Sequence, residues 1–346
     1  MMKIKVFLAG YVNYSNAQNL NCKAIADNLD ASKFEVYTLR VYFGNNERFG
    51  YNTFLCTWPF SFTLHLGFLW GLINSDVLYI PKHVETPIWV LKIANFFRKP
   101  IFTTIEGNVT DLSTKYNLIR LFPSQEKMCQ YFSHFNAIFG ITNNIILDSK
   151  NMLKIRESPL FLGVEKGLHV KYYRNKLSSI IFIGGLTRRK RVHEFLKLAR
   201  SFPMLDFNIV GDGPEMNNLA ISSTANVKFL GRLEHSEIKD VFEFSDLMFL
   251  PSKSEGFPKV ILEAACAGVP TLLYSTYGSS EWMTNHVDGF IVNDFQEAKD
   301  IVDKLTNRPK LLEKVSKNTF KLAARFDWKV VIKDWEKVIE DLFNEK

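Results

Sequence analysis

The chain has 346 residues, enough for two domains with full cores. At 47% hydrophobic and 23% charged residues it is no disordered or low-complexity chain, and its net charge of +7 admits phosphates, anionic lipid or nucleic acid as partners without selecting one. Its four cysteines (Cys22, Cys56, Cys129, Cys266) lack metal-ligand spacing and read as reduced thiols of a cytoplasmic protein.

The first ten residues look superficially like a signal peptide, but the apolar run is short and has no cleavage pattern, so a first strand over 3–9 is predicted. Further strands are predicted at 35–39, 77–80, 101–104 and 137–141. Helical spacing lies between them, as at Leu20, Ala24, Ile25 and Leu29. The stretch 42–59 is irregular and aromatic and yields no element. Residues 54–73 carry no formal charge, but Pro59 and His65 interrupt them, and a helix over 62–73, a turn and a buried strand explain the run better than a membrane span. The basic cluster Lys171, Arg174 and Lys176, with Gly163 and Gly167, suggests a linker over 161–176. Alternation then restarts, with strands predicted at 179–183, 207–210, 227–230, 247–250, 269–273 and 289–292. Ser236 is the expected N-cap of a helix through Ile238, Val241 and Phe242. A long helix over 311–343, broken near Phe326-Asp327, closes the chain. The pattern predicts an α/β protein of two doubly wound, Rossmann-like parallel sheets, with a ligand crevice at the carboxyl ends of their strands.

The stretch 255–268 reads as a loop entering a short helix at such a strand end. Between Pro258 and Ala267 only Lys259 and Glu263 are charged, and burying a lone carboxylate costs several kcal/mol, so Glu263 needs a cationic partner or a ligand. Pro258 suits the first helical turn, Gly256 admits a ligand close to the backbone, and the helix start offers free N–H groups to a phosphate. With Glu255 at the mouth, hydroxyl-binding carboxylates stand beside a phosphate-binding helix end, an arrangement that suits a sugar nucleotide. After the strand 179–183, Gly184 and Gly185 turn the chain into Arg188, Arg189, Lys190 and Arg191. This is a pyrophosphate clamp or a solvated basic loop. Lys190 is the expected point charge, with Arg188 or Arg189 as substitutes. The turn Gly211-Asp212-Gly213-Pro214 underlies a nucleotide base or is simply tight, and Glu281 orients a substrate or caps a helix. Glu106 ends the strand 101–104 and is either a site residue or a cap. The loop 10–16 lacks GxGxxG, which argues against a dinucleotide cofactor. No histidine has metal-ligand spacing, and no nucleic-acid recognition motif appears. Lys92, Arg98 and Lys99 interleave with Ile93, Phe96 and Phe97, as in a helix lying on an anionic membrane or an ordinary amphipathic one.

Taken together, these residues resemble the GT-B glycosyltransferases of the retaining family 4 type. The E-x7-E element is Glu255 to Glu263, and G-x-L-x-x-x-K is Gly184-Gly185-Leu186-Thr187-Arg188-Arg189-Lys190. The Gly-Asp-Gly-Pro turn and Asp288-Gly289-Phe290-Ile291-Val292 follow in the family's order; Gly163-Val164-Glu165 and Phe326-Asp327-Trp328 resemble the domain crossings. The likeness is colinear over 161–343 and weaker before it. It implies an acceptor-side domain over 1–165, a donor domain over 166–327, and a last helix, 328–346, packing back on the first domain. It implies that Glu255 contacts the donor sugar and Glu263 the ribose. Gly185, Gly256, Phe257 and Pro258 would line the sugar and diphosphate, and Lys190 with Arg189 would neutralise the departing pyrophosphate without a metal ion. The family's Arg is Gly185 here, its His is Glu106, and its early glycine-rich loop is Asn13 to Asn16. Asn16 and Glu106 are the acceptor-side candidates. The implied function moves a hexose-type sugar from a nucleotide sugar to a glycan or lipid-linked acceptor, with retention, in polysaccharide or lipopolysaccharide synthesis. The implied place is the cytoplasm, with peripheral binding to the inner membrane face. A nucleotide-sugar epimerase and an inactive sugar-nucleotide-binding module are the alternatives.

Overall fold

The computed structural model describes residues 3–110, 118–165 and 173–345. It divides into two compact units, Met1–Leu162 with Trp328–Lys346, and Gly163–Asp327.

The first unit runs β1 (Ile4–Tyr11), α1 (Ala17–Asn28), β2 (Phe34–Val41), β3 (Asn52–Cys56), α2 (Phe60–Asn74), β4 (Val77–Tyr79), α3 (Ile88–Phe96), β5 (Ile101–Ile105), α4 (Gln125–Phe132), β6 (Ala137–Gly140) and α5 (Asn143–Ser149). Its six strands are all parallel, in the order β3-β2-β1-β4-β5-β6. Strands β4 and β5 are buried throughout and β1 from Val6 onward, as a sheet covered on both faces requires. On one face lie α1 and the chain's last helix; α2 and α3 lie on the other. The irregular stretch hides β3, a half-exposed edge strand whose mixed burial carries no period-2 signal. Residues 54–73 are divided between β3, a turn and α2, and among the described residues no helix is long and apolar enough to cross a membrane.

The second unit runs β7 (Ser179–Ile183), α6 (Val192–Ser201), β8 (Asp206–Val210), α7 (Met216–Ile221), β9 (Val227–Gly231), α8 (His235–Glu243), β10 (Leu247–Leu250), α9 (Lys259–Cys266), β11 (Thr271–Tyr274), β12 (Phe290–Val292), α10 (Phe295–Asn307) and α11 (Pro309–Arg325). Its parallel sheet has the order β12-β11-β10-β7-β8-β9. The break at Phe326-Asp327 separates α11 from α12 (Trp328–Asn344), and α12 belongs to the first unit.

Two expectations need correction. Ser236 does not cap α8: Glu234 stands at the N-cap, and its N–H donates to Glu237 Oε2 at 2.7 Å, as in a capping box. Nor does Arg174 behave as a loose linker residue. It is buried, and its guanidinium donates to the carbonyl oxygens of Phe242 and Ala267, just past the end of α9. Gly167 and Lys171 lie outside the described residues.

Candidate functional site

In the second unit the connection direction reverses between β7 and β10, so the loops after these two strands flank a topological switch point, where open α/β sheets bind ligands. The loop after β7 carries Gly184 to Lys190, and the loop after β10 carries Ser252 to Pro258. The two meet side chain to side chain. Glu255 Oε1 accepts from Lys190 Nζ at 2.5 Å, and its Oε2 accepts from Arg189 Nη1 at 2.9 Å. Arg189 also donates to the Ser254 carbonyl, and its own carbonyl accepts from the Lys253 N–H at 2.8 Å. Glu255 is only 7% exposed. Burial pushes its carboxyl up, but the charges of Lys190 and then Arg189 outweigh burial and hold it below the usual carboxylate range. The carboxylate is therefore charged and fixed by two cations.

A short 3-10 turn, Arg188–Lys190, aims these cations, and Arg191 closes it in the left-handed region at φ 51°. Arg189 points at Glu255, whereas Arg188 is 93% exposed and lies 3.7 Å from Glu215. Of the two arginines, only Arg189 is therefore turned toward Glu255. A Cβ at Gly185 would meet only the Asp212 carbonyl at 3.9 Å, so that side of the loop is open. Pro258 stands at the N-cap of α9, one position earlier than expected, and makes no side-chain cap, so the first-turn N–H groups remain an anion-favouring end. Gly256 and Pro258 are half-buried, and Glu263 is half-buried one turn inside α9. Phe257 is buried between Trp282 at 5.4 Å and Phe326 at 5.2 Å, ring to ring. It anchors the loop from below.

Tyr277 escaped the sequence reading. It is buried just after β11, its hydroxyl has no hydrogen-bond partner among the described residues, and burial together with the nearby Glu255 charge pushes its pKa well above the ordinary value. One tyrosine in a Ser-Thr-Tyr-Gly loop carries no sequence signal.

The first unit repeats the logic at its own switch point, between β1 and β4. There the Tyr11 hydroxyl donates to Glu85 Oε2 at 2.6 Å, and Lys82 Nζ lies 3.2 Å from that oxygen and 3.8 Å from the Tyr11 ring centroid. Burial lowers the Lys82 pKa, and burial together with Glu85 raises that of Tyr11. Lys82 and Glu85 were missed because both lie in an unpatterned turn after β4. Of the acceptor-side candidates, Asn16 is the N-cap of α1, accepting from the Asn19 N–H at 2.8 Å. Glu106, just past β5, accepts from Asn21 Nδ2 at 3.3 Å. Among the described residues no cluster of three or more His, Cys, Asp or Glu could hold a metal ion.

Residues 171–322 match the family of glycosyl transferases group 1. A Haemophilus influenzae "uncharacterized glycosyltransferase" is 24% identical over 277 residues, covering 78% of this chain and 71% of that protein. The Campylobacter jejuni N,N'-diacetylbacillosaminyl-diphospho-undecaprenol alpha-1,3-N-acetylgalactosaminyltransferase is 24% identical over 304 residues, covering 78% of this chain and 79% of that one. Among solved structures, Anabaena HepE in complex with UDP-glucose superposes with a TM-score of 0.78 over 98% of this chain and 100% of that one, at 16% identity, which is a likeness of fold.

Proposed function

We propose a donor, an acceptor and a place of work for this chain, which is a GT-B glycosyltransferase with a glycosyl transferases group 1 domain over residues 171–322. It transfers a hexose-type sugar from a uridine-diphosphate donor to a lipid-linked glycan acceptor, with retention, in the assembly of a surface polysaccharide. The observation that carries the donor half is the Glu255 carboxylate held by Lys190 and Arg189 at the switch point between β7 and β10. HepE, similar in fold, is solved with UDP-glucose, and the Campylobacter relative is named for a diphospho-undecaprenol acceptor.

On this reading the donor diphosphate lies against Lys190, Arg189 and the start of α9, Glu255 orients the sugar, and Glu263 takes the ribose hydroxyls. The bond from the anomeric carbon to the β-phosphate breaks, and its electron pair leaves with the diphosphate. The acceptor oxygen bonds to that carbon from the same face and passes its proton to the departing phosphate. The two cations take up the developing negative charge, so the step needs no metal ion. A lipid-linked acceptor places the work at the cytoplasmic face of a membrane, with the chain bound peripherally.

A thermal-shift panel of nucleotide sugars tests the donor, since a ligand at a hundredfold excess over its Kd stabilises by about 2.7 kcal/mol. We expect a shift with at least one uridine-diphosphate sugar. Glu263→Ala should weaken uridine diphosphate binding by about 1–3 kcal/mol. Glu255→Ala should cut transfer by roughly a hundredfold while costing the bare nucleotide far less. A panel without any shift sinks the reading. Sugar isomerised or released without acceptor makes the chain an epimerase or hydrolase instead, and donor binding without turnover over many acceptors makes it a binding module.

A further inference from the structure

Helix α2 breaks the rule for surface helices. No residue of its 15 carries a formal charge. One side packs on the sheet through Leu64, Phe68 and Leu72, which are buried. The opposite side should be polar, and it is not: Phe62, Leu66, Leu69 and Ile73 are all exposed, Phe62 at 62% and Ile73 at 64%. Their spacing places them within a narrow arc, a stripe roughly 16 Å long on one helix face. A helix apolar all round is ordinarily buried or in lipid.

The surroundings extend the stripe. Trp58, just before α2, is 80% exposed. Helix α3 packs beside α2, with Trp89 stacked on His65 at 5.9 Å, and it ends in exposed Phe96 and Phe97. Cations border this surface: Lys92 and Arg98 are exposed, and Lys99 closes the C-terminus of α2 by donating to the Leu72 and Ser75 carbonyls. Neither α2 nor α3 contains an acidic residue. Isolated exposed apolar residues need no explanation, but four aligned on one face of a helix without charge do.

The geometry points to the α2–α3 face as the surface that docks this chain on an anionic lipid bilayer. The apolar stripe enters the boundary between headgroups and acyl chains, Trp58 sits at that level, and Lys92 and Arg98 meet lipid phosphates. The charge pattern selects this occupant over a second copy of the chain. A two-fold dimer through the same face would gather the Lys92 and Arg98 of both copies at one interface, with no acid on either helix to compensate. The inference gives a location to the peripheral binding proposed above and rests on the lipid-linked acceptor for its purpose, although it can fail or stand independently.

Flotation with phosphatidylcholine vesicles, with and without an equal part of phosphatidylglycerol, tests it. The full chain should float with the anionic vesicles, less so as salt rises. Phe62→Gln/Ile73→Gln should abolish flotation while keeping the nucleotide-sugar thermal shift, which reports the fold. Lys92→Gln/Arg98→Asn should remove the preference for anionic vesicles, roughly fivefold per cation lost. Asparagine is chosen at Arg98 because that residue sits at φ 52°, which asparagine tolerates. Flotation unchanged in both double variants overturns the proposal. So does a chain that ignores vesicles and sediments as a dimer, if Phe62→Gln/Ile73→Gln returns it to a monomer. A thermal shift without flotation removes the docking face and spares the donor reading; flotation without any thermal shift does the reverse.

Discussion

A carboxylate as buried as Glu255 stays ionised only because something opposes the cost of its burial. Lys190 and Arg189 do so, and the folded pKa ends below the ordinary one. The sign follows. A folded value below the unfolded one stabilises the chain above about pH 4.3, and that contribution is lost as pH falls through the folded value. Lys190→Met should therefore destabilise by about 1–3 kcal/mol near neutral pH, and the gap to the native chain should narrow in acid, where Glu255 is protonated in both. Urea melts at the two pH values measure it; a gap independent of pH would mean that Glu255 does not draw on Lys190. At this scale the sequence was half legible. The acidic and basic candidates could be picked by type and by their place after a strand. Their contact could not, because some 65 residues separate them along the chain and only the strand order makes β7 and β10 neighbours. Tyr277 and the Lys82–Glu85 pair belong to the same class: single residues in turns, positioned wholly by topology.

At the scale of elements, the site depends on how closely two turns approach. Gly184 N–H donates to the Val210 carbonyl at 3.0 Å, and Leu186 N–H to the Asp212 carbonyl at 2.9 Å, so the loop after β7 is stitched to the turn after β8. Gly211 makes this approach feasible. It sits at φ 134°, and a Cβ there would overlap the Gly184 carbonyl oxygen. Gly211→Ala should cost about 1–3 kcal/mol in backbone strain. It should also lower donor affinity, because the displaced loop is the one that ends in Lys190. Gly185→Ala, in open space, should do neither by more than a few tenths of a kcal/mol. Denaturation and donor titration of the two variants separate them, and equal effects would refute the stitching argument. The Gly-Asp-Gly-Pro turn, readable as either a base platform or a plain tight turn, thus acts at least as the second. Buried central strands were legible because both faces are covered, which favours apolar runs: β7 and β10 occupy the expected spans, and β5, despite Thr103 and Thr104, runs one residue past its own. Edge strand β3 was not legible, since half its residues face solvent and aromatic neighbours on both sides blur its ends. Ser236 misled because serine is a good N-cap residue in general, whereas here an acidic capping box begins the helix two residues earlier.

At the scale of the whole molecule, the chain's last helix is a structural member of the unit the chain builds first. Trp335 is fully buried on α12, edge-on to Tyr79 at 5.1 Å, and its indole N–H donates to the Phe161 carbonyl at 2.9 Å. The next residue, Glu336, also buried, accepts from the Asp30 N–H at 3.0 Å. Both residues join α12 to segments that lie far back along the chain. Where the chain passes between units, the Val164 N–H donates to the Phe326 carbonyl at 2.8 Å, and Val164 pairs with Asp327 as a short parallel bridge, so outgoing and returning strands run side by side. Trp335→Ala removes a large buried side chain and should cost about 3–5 kcal/mol. The loss falls on Met1–Leu162 with Trp328–Lys346, while Lys190, Arg189, Glu255 and Glu263 all lie in Gly163–Asp327. Below the melting range, therefore, the affinity for a uridine-diphosphate sugar should stay within about twofold of the native value, even as the melting temperature drops, a difference of under about 0.5 kcal/mol in binding. Calorimetric titration at low temperature, paired with a thermal melt, reads both numbers. Stability and donor affinity falling together would mean that the donor site draws on the first unit as well, and the roles assigned here within residues 163–327 would then have to be reassigned across both units.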